Sequence, residues 1–593
     1  MIKRLAFAVA VALAATGSAY AQTQAPQAPA WVARSNADAQ VLLEEQARFS
    51  PEFATQVGLP GYDDKVADLK PDLDARMRAA LVDTKAKLEK MLATEKDTHV
   101  RQDLQIMLHT VNLQIEGIDL NHKYLLPYQD VAQLIFGGEF YLLKDEVDPK
   151  RRALAVKRLQ CYVGQAPGCT PITKLAEAQT AERLGEKNLL GPYKLDVEQR
   201  LSNTQRYTQG IRQLFAKYKL DDAQGKAALD AMDSQLKEYD AWTHSTIVPR
   251  ERSDFRLPEP LYAYSLKQVG IDIPPEQLIK QAELEFVELR STMQVIAPTV
   301  AKAEGINATD YGDVLKALKL QQLGKDDVVP WYHQIIGKIE DIIRREHIIT
   351  LPQRDMQMRL ASDAEAAATP APHMDPPPLI DNHGERGTFV LTMGNPSASK
   401  DASDAYDDFT YKAAAWTLTS HEGRPGHELQ FAAMVERGVS IARSLFAFNS
   451  VNVEGWALYS EAEMLPYEPP AGQFAALQAR LMRSARAFLD PMLNLGMISK
   501  ERAHDVLRYD VGLSEALTRE ELDRYTFNSP GQATSYFYGY MRLQQLRLET
   551  ELALGKNFNR QAFNDFVINQ GLLPPEQLAE AVRTQFVPSQ QKK

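Results

Sequence analysis

A mainly helical fold with a small β-sheet set into it is what this sequence predicts. Three observations carry the prediction. Apolar residues recur at three- and four-residue spacing through most of residues 76–347 and again from 408 to the C-terminus. Between these halves, residues 348–395 are rich in proline and short alternating runs. The composition, 44% hydrophobic and 24% charged over 593 residues, is that of a globular chain with ample material for a core.

The chain opens on an address. Lys3 and Arg4 precede an apolar run, Leu5 to Ala15, and Ser18-Ala19-Tyr20-Ala21 places small residues where a signal peptidase reads. Residues 1–21 are therefore expected to be a cleaved signal peptide. No cysteine stands at the cleavage point, so a lipid anchor is not expected. Export to the periplasm is the expectation, with secretion as the alternative. No later run has the roughly 20 apolar residues that cross a bilayer, so stable membrane insertion is not expected.

The helical region that follows, residues 22–345, shows its stripes at 76–97, 101–117, 175–188, 195–218, 223–240, 275–300, 311–322 and 331–347. Asp326, Asp327 and Pro330 punctuate the gap before the last of these. Such stripes are the core faces of packed helices. Cys161 and Cys169 bracket a turn-forming insert, and in an oxidising compartment they are expected to form a structural disulfide. A redox role would want a closer pair.

The second region, residues 346–593, begins with the change of pattern. Ile348 to Pro352 is β-like, Met356 to Leu360 alternates, and Thr388 to Met393 reads as a strand ended by Gly394. Between them lies a proline-rich crossing loop, 370–378. Helices are then expected at 408–422, 426–443, 453–465, 471–489, 499–509, 517–525, 532–553, 560–569 and 575–587. No clean linker divides 22–345 from 346–593, and one continuous unit is expected. A net charge of -11 argues against nucleic acid as a partner. No phosphate-binding glycine loop or serine elbow is present.

One stretch is unlike the rest. Two histidines and two glutamates fall within the eight residues His421 to Glu428. Neutral nitrogen ligands hold Zn²⁺, and a nearby carboxylate takes a proton from the activated water. His421 and His427 are six positions apart, which an unbroken helix would turn about 120° from each other. Pro425-Gly426 lies between them, and a break there can swing His427 back. Glu454, in the first turn of a following helix, supplies a third ligand, and two His plus one Glu leave a fourth position open. Glu422 adjoins the ligand His421 and is the natural general base. Glu461, seven residues past Glu454, is placed to hold a ligand histidine by its distal N–H. Spacing alone leaves ordinary surface or salt-bridged residues open, and Trp456 and Tyr459 read as packing residues.

The chain resembles a large bacterial family catalogued as an uncharacterised domain and described as candidate zinc metallopeptidases. The family's His-Glu-x-x-Pro-Gly-His-x-x-Gln signature is met by His421, Glu422, Pro425, Gly426, His427 and Gln430. Its Glu-Gly-Trp-Ala-Leu-Tyr block stands at Glu454 to Tyr459. A later block is met by Glu521, Arg524, Tyr525, Pro530, Gly531, Gln532, Ser535, Tyr536 and Gly539. The opening block from Phe49 to Thr55 and Gly58 also matches, so the likeness spans nearly the whole mature chain. Two positions depart. Glu428 stands where the family has a second histidine, and it is the alternative ligand. Arg486 and Asp490 survive, but Asn494 stands where another histidine is expected.

The resemblance implies a helical metallopeptidase-like fold with the sheet beside an active-site cleft and one Zn²⁺ per chain. It implies hydrolysis of short peptides, with His421, His427 and Glu454 on the metal and Glu422 as base. Tyr536 is the first candidate for the oxyanion donor, with Tyr540 and Arg486 behind it. Arg486 or Arg542 is a candidate grip for a free C-terminal carboxylate. Two alternatives stay open: another metal-dependent amidase, acting on cell-wall peptides, and a non-catalytic periplasmic peptide-binding protein. The sequence leaves endo- or exopeptidase action and oligomeric state open.

Overall fold

The computed structural model describes residues 29–394 and 406–591. The expected signal peptide, 1–21, lies outside the described residues. Helices dominate, in the order the apolar stripes set out. The stripe at 76–97 becomes Leu73–Thr94, that at 101–117 becomes Thr98–Tyr124, and the long stripe from 275 becomes Pro275–Glu304. Helices that were not legible as stripes include Ala30–Phe49, Val131–Leu142, Ala155–Tyr162 and Glu259–Val269. Pro330 does not punctuate a gap, because the helix Lys325–Arg345 runs through it.

Three short strands form an open sheet. β1 is Gln357–Leu360, β2 is His373–Asp375 and β3 is Thr388–Leu391, in the order β1-β3-β2. β3 pairs parallel to β1 and antiparallel to β2. Two of the three were expected. β2 lies inside the proline-rich loop, where Met374 pairs with Phe389. The β-like run from Ile348 makes no strand. Ile348 and Ile349 are buried as core residues of an irregular segment, so their apolar character reports burial and not pairing.

Three hydrophobic clusters hold the fold. The first joins Leu42 and Met107 of the N-terminal helices to Ile339, to Phe389 of β3, and to Trp416, Leu429, Trp456 and Phe563. The second packs the Pro275–Glu304 helix, through Leu278, Phe286 and Met293, against Phe474, Leu481 and Phe488 of the helix Pro470–Asn494. The third lies among residues 69–239 around Phe136, Tyr162, Phe215 and Met232, and reaches Ala364. All three clusters thus draw on both sides of position 345. A buried ion pair does likewise: Asp103 accepts from Arg443 Nε at 2.7 Å and from the hydroxyls of Ser35 and Ser440 at 2.6 Å. Cys161 and Cys169 are joined in a disulfide that closes the Gly164–Gly168 turn. No helix among the described residues is long and apolar enough to cross a membrane.

Candidate metal centre

The His421 helix, Ala414–Glu422, stops at Gly423, and a new helix begins at His427. The reversal between them needs a glycine at 426. A Cβ there would lie 1.9 Å from the His421 carbonyl oxygen and 2.5 Å from that of Ser420. The turn therefore folds back onto the end of the helix it leaves, and this returns His427 to His421. Two side chains brace it. Trp456 donates its indole N–H to the Pro425 carbonyl at 3.0 Å, a polar task in addition to its packing. Arg424, almost wholly buried, donates to Glu428 at 2.7 Å, to Glu340 at 2.7 Å and to the Arg354 carbonyl.

Glu454 comes from the helix Ser450–Met464, capped by Asn449, whose side chain accepts from the Asn452 N–H. Gly455 and Gly539 let this helix lie directly against the Tyr536 helix, Ser535–Leu554. A Cβ on Gly455 would meet the Gly539 carbonyl carbon at 2.5 Å, and one on Gly539 would meet the Val451 oxygen at 2.0 Å.

His421, His427 and Glu454 converge, and each offers one ligand atom within 4.8 Å of the other two. Glu454 Oε2 is 3.4 Å from His421 Nε2 and 3.3 Å from His427 Nε2. A tetrahedral zinc with bonds of about 2.0–2.1 Å sets neighbouring ligand atoms roughly 3.3 Å apart. Glu454 Oε2 and His427 Nδ1 are buried without a hydrogen-bond partner among the described residues. The donor set, the spacing and the unpartnered oxygen all fit a divalent metal of the zinc class.

The electrostatics agree. Burial disfavours charge on Glu454, yet the His421 and His427 imidazoles facing it hold its carboxyl well below the usual range. Burial also pulls on His421, but the carboxylates of Glu454 and Glu461 beside it outweigh that and raise it to about 9. A carboxylate facing two imidazoles demands positive charge between them, and a proton or a metal can supply it.

Behind the cluster, Glu461 Oε1 accepts the His421 Nδ1 proton at 2.7 Å, which leaves Nε2 free to ligate. Thr417 donates to the other oxygen at 2.6 Å, and Arg483 lies 3.4 Å from Oε1. Burial raises Glu461, but Arg483, His421 and Thr417 together hold it below its ordinary value. Thr417 and Arg483 carried no signal in the sequence beyond helical position.

The other singled-out residues divide. Glu422 Oε1 lies 3.8 Å from His421 Nε2. The Tyr536 ring stacks near His421, centroids 6.2 Å apart. Burial and the Glu454 charge raise its hydroxyl pKa, while Arg524 and Arg486 pull it back. Arg486 lies over the Tyr536 ring at 4.6 Å and donates twice to Glu521, at 2.7 and 2.6 Å. Tyr540 sits one turn beyond Tyr536, with the Arg480 guanidinium 4.9 Å from its ring centroid. Glu428, the alternative ligand, is paired with Arg424 and is not in the converging set. Asn494, in place of a histidine, donates to the Asp490 and Tyr525 carbonyls. Asp490 in turn accepts the Gly531 N–H, which ties down the loop leading to Tyr536.

A cavity of about 810 Å³ lies beside the sheet, lined by Met356 to Leu360, Thr388, Phe140, Tyr141 and Lys144 among others. The three converging residues do not line it. Met356 lines this cavity and also lies against Gly423, in the turn that carries His427.

The family profile described as "Bacterial protein of unknown function (DUF885)" matches residues 51–582, which contain every residue of this centre. The chain belongs to that family. No curated protein matches it. Among solved structures it is similar to a candidate lipoprotein from Colwellia psychrerythraea, with 18% identity and a TM-score of 0.75 over 94% of this chain and 98% of that one. It is likewise similar to a candidate lipoprotein of unknown function from Shewanella oneidensis, with 18% identity and a TM-score of 0.68 over 93% and 98%. At this identity the likeness shows a shared helical fold.

Proposed function

We propose that this chain holds one Zn²⁺ through His421, His427 and Glu454 and hydrolyses amide bonds in short peptides, as a metallopeptidase of the periplasm. The observation that carries the reading is the spacing of 3.3 and 3.4 Å from Glu454 Oε2 to the two imidazole nitrogens, with a second carboxylate, Glu422, 3.8 Å from His421. Zinc there would supply Lewis-acid polarisation of the scissile carbonyl and of water.

The chain's own groups supply the rest. Glu461 fixes the His421 tautomer by taking the Nδ1 proton. Glu422 takes a proton from the attacking water and returns it to the leaving nitrogen. Tyr536, whose raised pKa keeps its proton at neutral pH, donates to the developing oxyanion. Arg486 is spent on Glu521 and on the Tyr536 ring, so it holds that tyrosine in place. The disulfide and the expected leader support export; the candidate-lipoprotein description of the two structural relatives is consistent with an envelope location.

A metal-holding peptide-binding protein without turnover is the second reading, and an amidase acting on cell-wall peptides is a variant of the first. The converging ligands support this second reading directly, because it requires the capacity to hold a metal and no further chemistry. A peptide-library digest with the zinc-loaded chain and its Glu422→Gln variant decides. Cleavage that falls by about 10²–10⁴ in the variant, with zinc retained, supports the hydrolase. Zinc and peptide bound equally by both proteins, with no cleavage, establishes the binding protein.

A further inference from the structure

Arg524 is a charge near the centre that is held only loosely by its acid. Its side chain is four-fifths buried, at 21% exposure, and its nearest carboxylate oxygen, Glu521 Oε1, is 3.7 Å away. Its Nη1 is buried with no hydrogen-bond partner among the described residues. Leaving a buried charged donor without a hydrogen bond is costly, and a second carboxylate would supply that bond.

The neighbouring arginines do not share this state. Arg486 makes a two-point pair with Glu521 at 2.7 and 2.6 Å. Arg542 donates to Tyr538 at 2.7 Å, to Asp272 at 3.2 Å and to Glu576 at 3.2 Å, so neither sequence-derived candidate for gripping a carboxylate has a free fork. Arg483 has an unpartnered Nε, but its charge faces Glu461 behind His421. Glu521 is thus shared by two arginines. Burial also raises Glu520, the other acid of the cluster, to about 7, which leaves positive charge in excess.

The location is suited to substrate. Arg524 faces Glu521 at 3.7 Å, Glu521 accepts from Arg486 at 2.6 Å, Arg486 lies over the Tyr536 ring at 4.6 Å, and that ring stacks near His421 at 6.2 Å. Arg524 also opens a π-helical turn, Arg524–Asn528, a form of helix frequent at functional sites. A planar fork of donors joined to His421 through Glu521, Arg486 and Tyr536 matches a carboxylate.

We propose that Arg524 receives the C-terminal carboxylate of the peptide, so that the site takes free-acid peptides in preference to amidated or internal segments. The inference rests on the peptide reading of the same centre and narrows its substrate class.

The test uses the full zinc-loaded chain and N-acetylated pentapeptides randomised in sequence, made once as free acids and once as C-terminal amides. Binding is measured in the Glu422→Gln background, with and without Arg524→Gln, and turnover in the chain that keeps Glu422. Free acids are expected to bind on the order of 100-fold tighter than amides, and Arg524→Gln to remove that advantage while leaving amides within about threefold. Arg524→Lys keeps the charge and loses the fork, and should cost the acids alone about tenfold. Equal retention of both pools, retention of neither, or an equal loss for both pools in either variant overturns the inference. Preferential binding of acids without turnover upholds Arg524 while refuting hydrolysis. Turnover of amides as fast as acids does the reverse.

Discussion

Glu461→Gln asks whether the metal centre depends on the acid behind it. The carboxylate accepts the His421 Nδ1 proton at 2.7 Å and the Thr417 hydroxyl at 2.6 Å, and faces Arg483 at 3.4 Å. A glutamine has nearly the same shape and keeps one acceptor oxygen, but it loses the charge that makes Nε2 basic and fixes its tautomer. Outer carboxylates of this kind are worth about 10–100-fold in metal affinity, or roughly 1.4–2.7 kcal/mol. Removing the charge also leaves Arg483 buried without its carboxylate, which costs about 3–5 kcal/mol of stability. Zinc affinity is therefore read by competition with a calibrated chelator at neutral pH, alongside urea unfolding of the same sample. Thr417→Val is the control. It deletes one hydrogen bond to Glu461 and keeps the charge, so it should cost about 0.5–1.5 kcal/mol of stability. Its zinc affinity should stay near that of the unaltered chain. A folded Glu461→Gln protein that binds zinc as tightly as the unaltered chain would refute the orienting role.

Two further predictions concern buried charge. Glu139 is wholly buried with both carboxylate oxygens unpartnered among the described residues, and burial raises it from 4.5 to about 8. Its folded form holds a proton that the unfolded chain releases, so the penalty is absent below about pH 4.5 and grows as pH rises toward 8. The stability of Glu139→Gln relative to the unaltered chain should therefore climb by a few kcal/mol between about pH 5 and pH 8. A constant offset in unfolding measurements across that range would refute this. Glu521 is held at about 2 against burial by Arg486 and Arg524, so its contribution is full above about pH 4.5 and lost as pH falls through 2. Glu521→Gln should cost about 3–5 kcal/mol near neutrality and flatten the acid limb of the stability curve. A loss of equal size at every pH would show that packing, not charge, sets the effect.

The sequence made the helical stripes and the converging residues legible for different physical reasons. A stripe such as Leu278, Phe286 and Met293 repeats within one helix, so local spacing reports the buried face. His421, Glu422, His427 and Glu454 are residue types whose chemistry is specific, and the Pro425-Gly426 break between the two histidines announced a departure from regular helix. That the break returns His427 to His421 depends on contacts local patterns do not encode: Gly426 against the His421 carbonyl, and Trp456 to the Pro425 oxygen from a helix 31 residues further on. β2 was hidden for a related reason, because its three residues are a strand only through pairing with β3. Ile348 and Ile349 erred the other way, since burial alone mimics the composition of a strand. Arg524 is matched by a family block, but the looseness of its hold on Glu521 is visible only when Arg486 is seen to take both carboxylate oxygens.

The central claim is that His421, His427 and Glu454 hold a metal ion. Elemental analysis of the zinc-loaded chain beside His427→Ala and Glu454→Ala tests it most directly. The account predicts about one zinc per chain, lost in both variants while each stays folded, because removing either ligand opens a three-residue set. Zinc retained by Glu454→Ala would contradict the assignment of the third ligand, and no zinc in the unaltered chain after loading would contradict the metal centre itself.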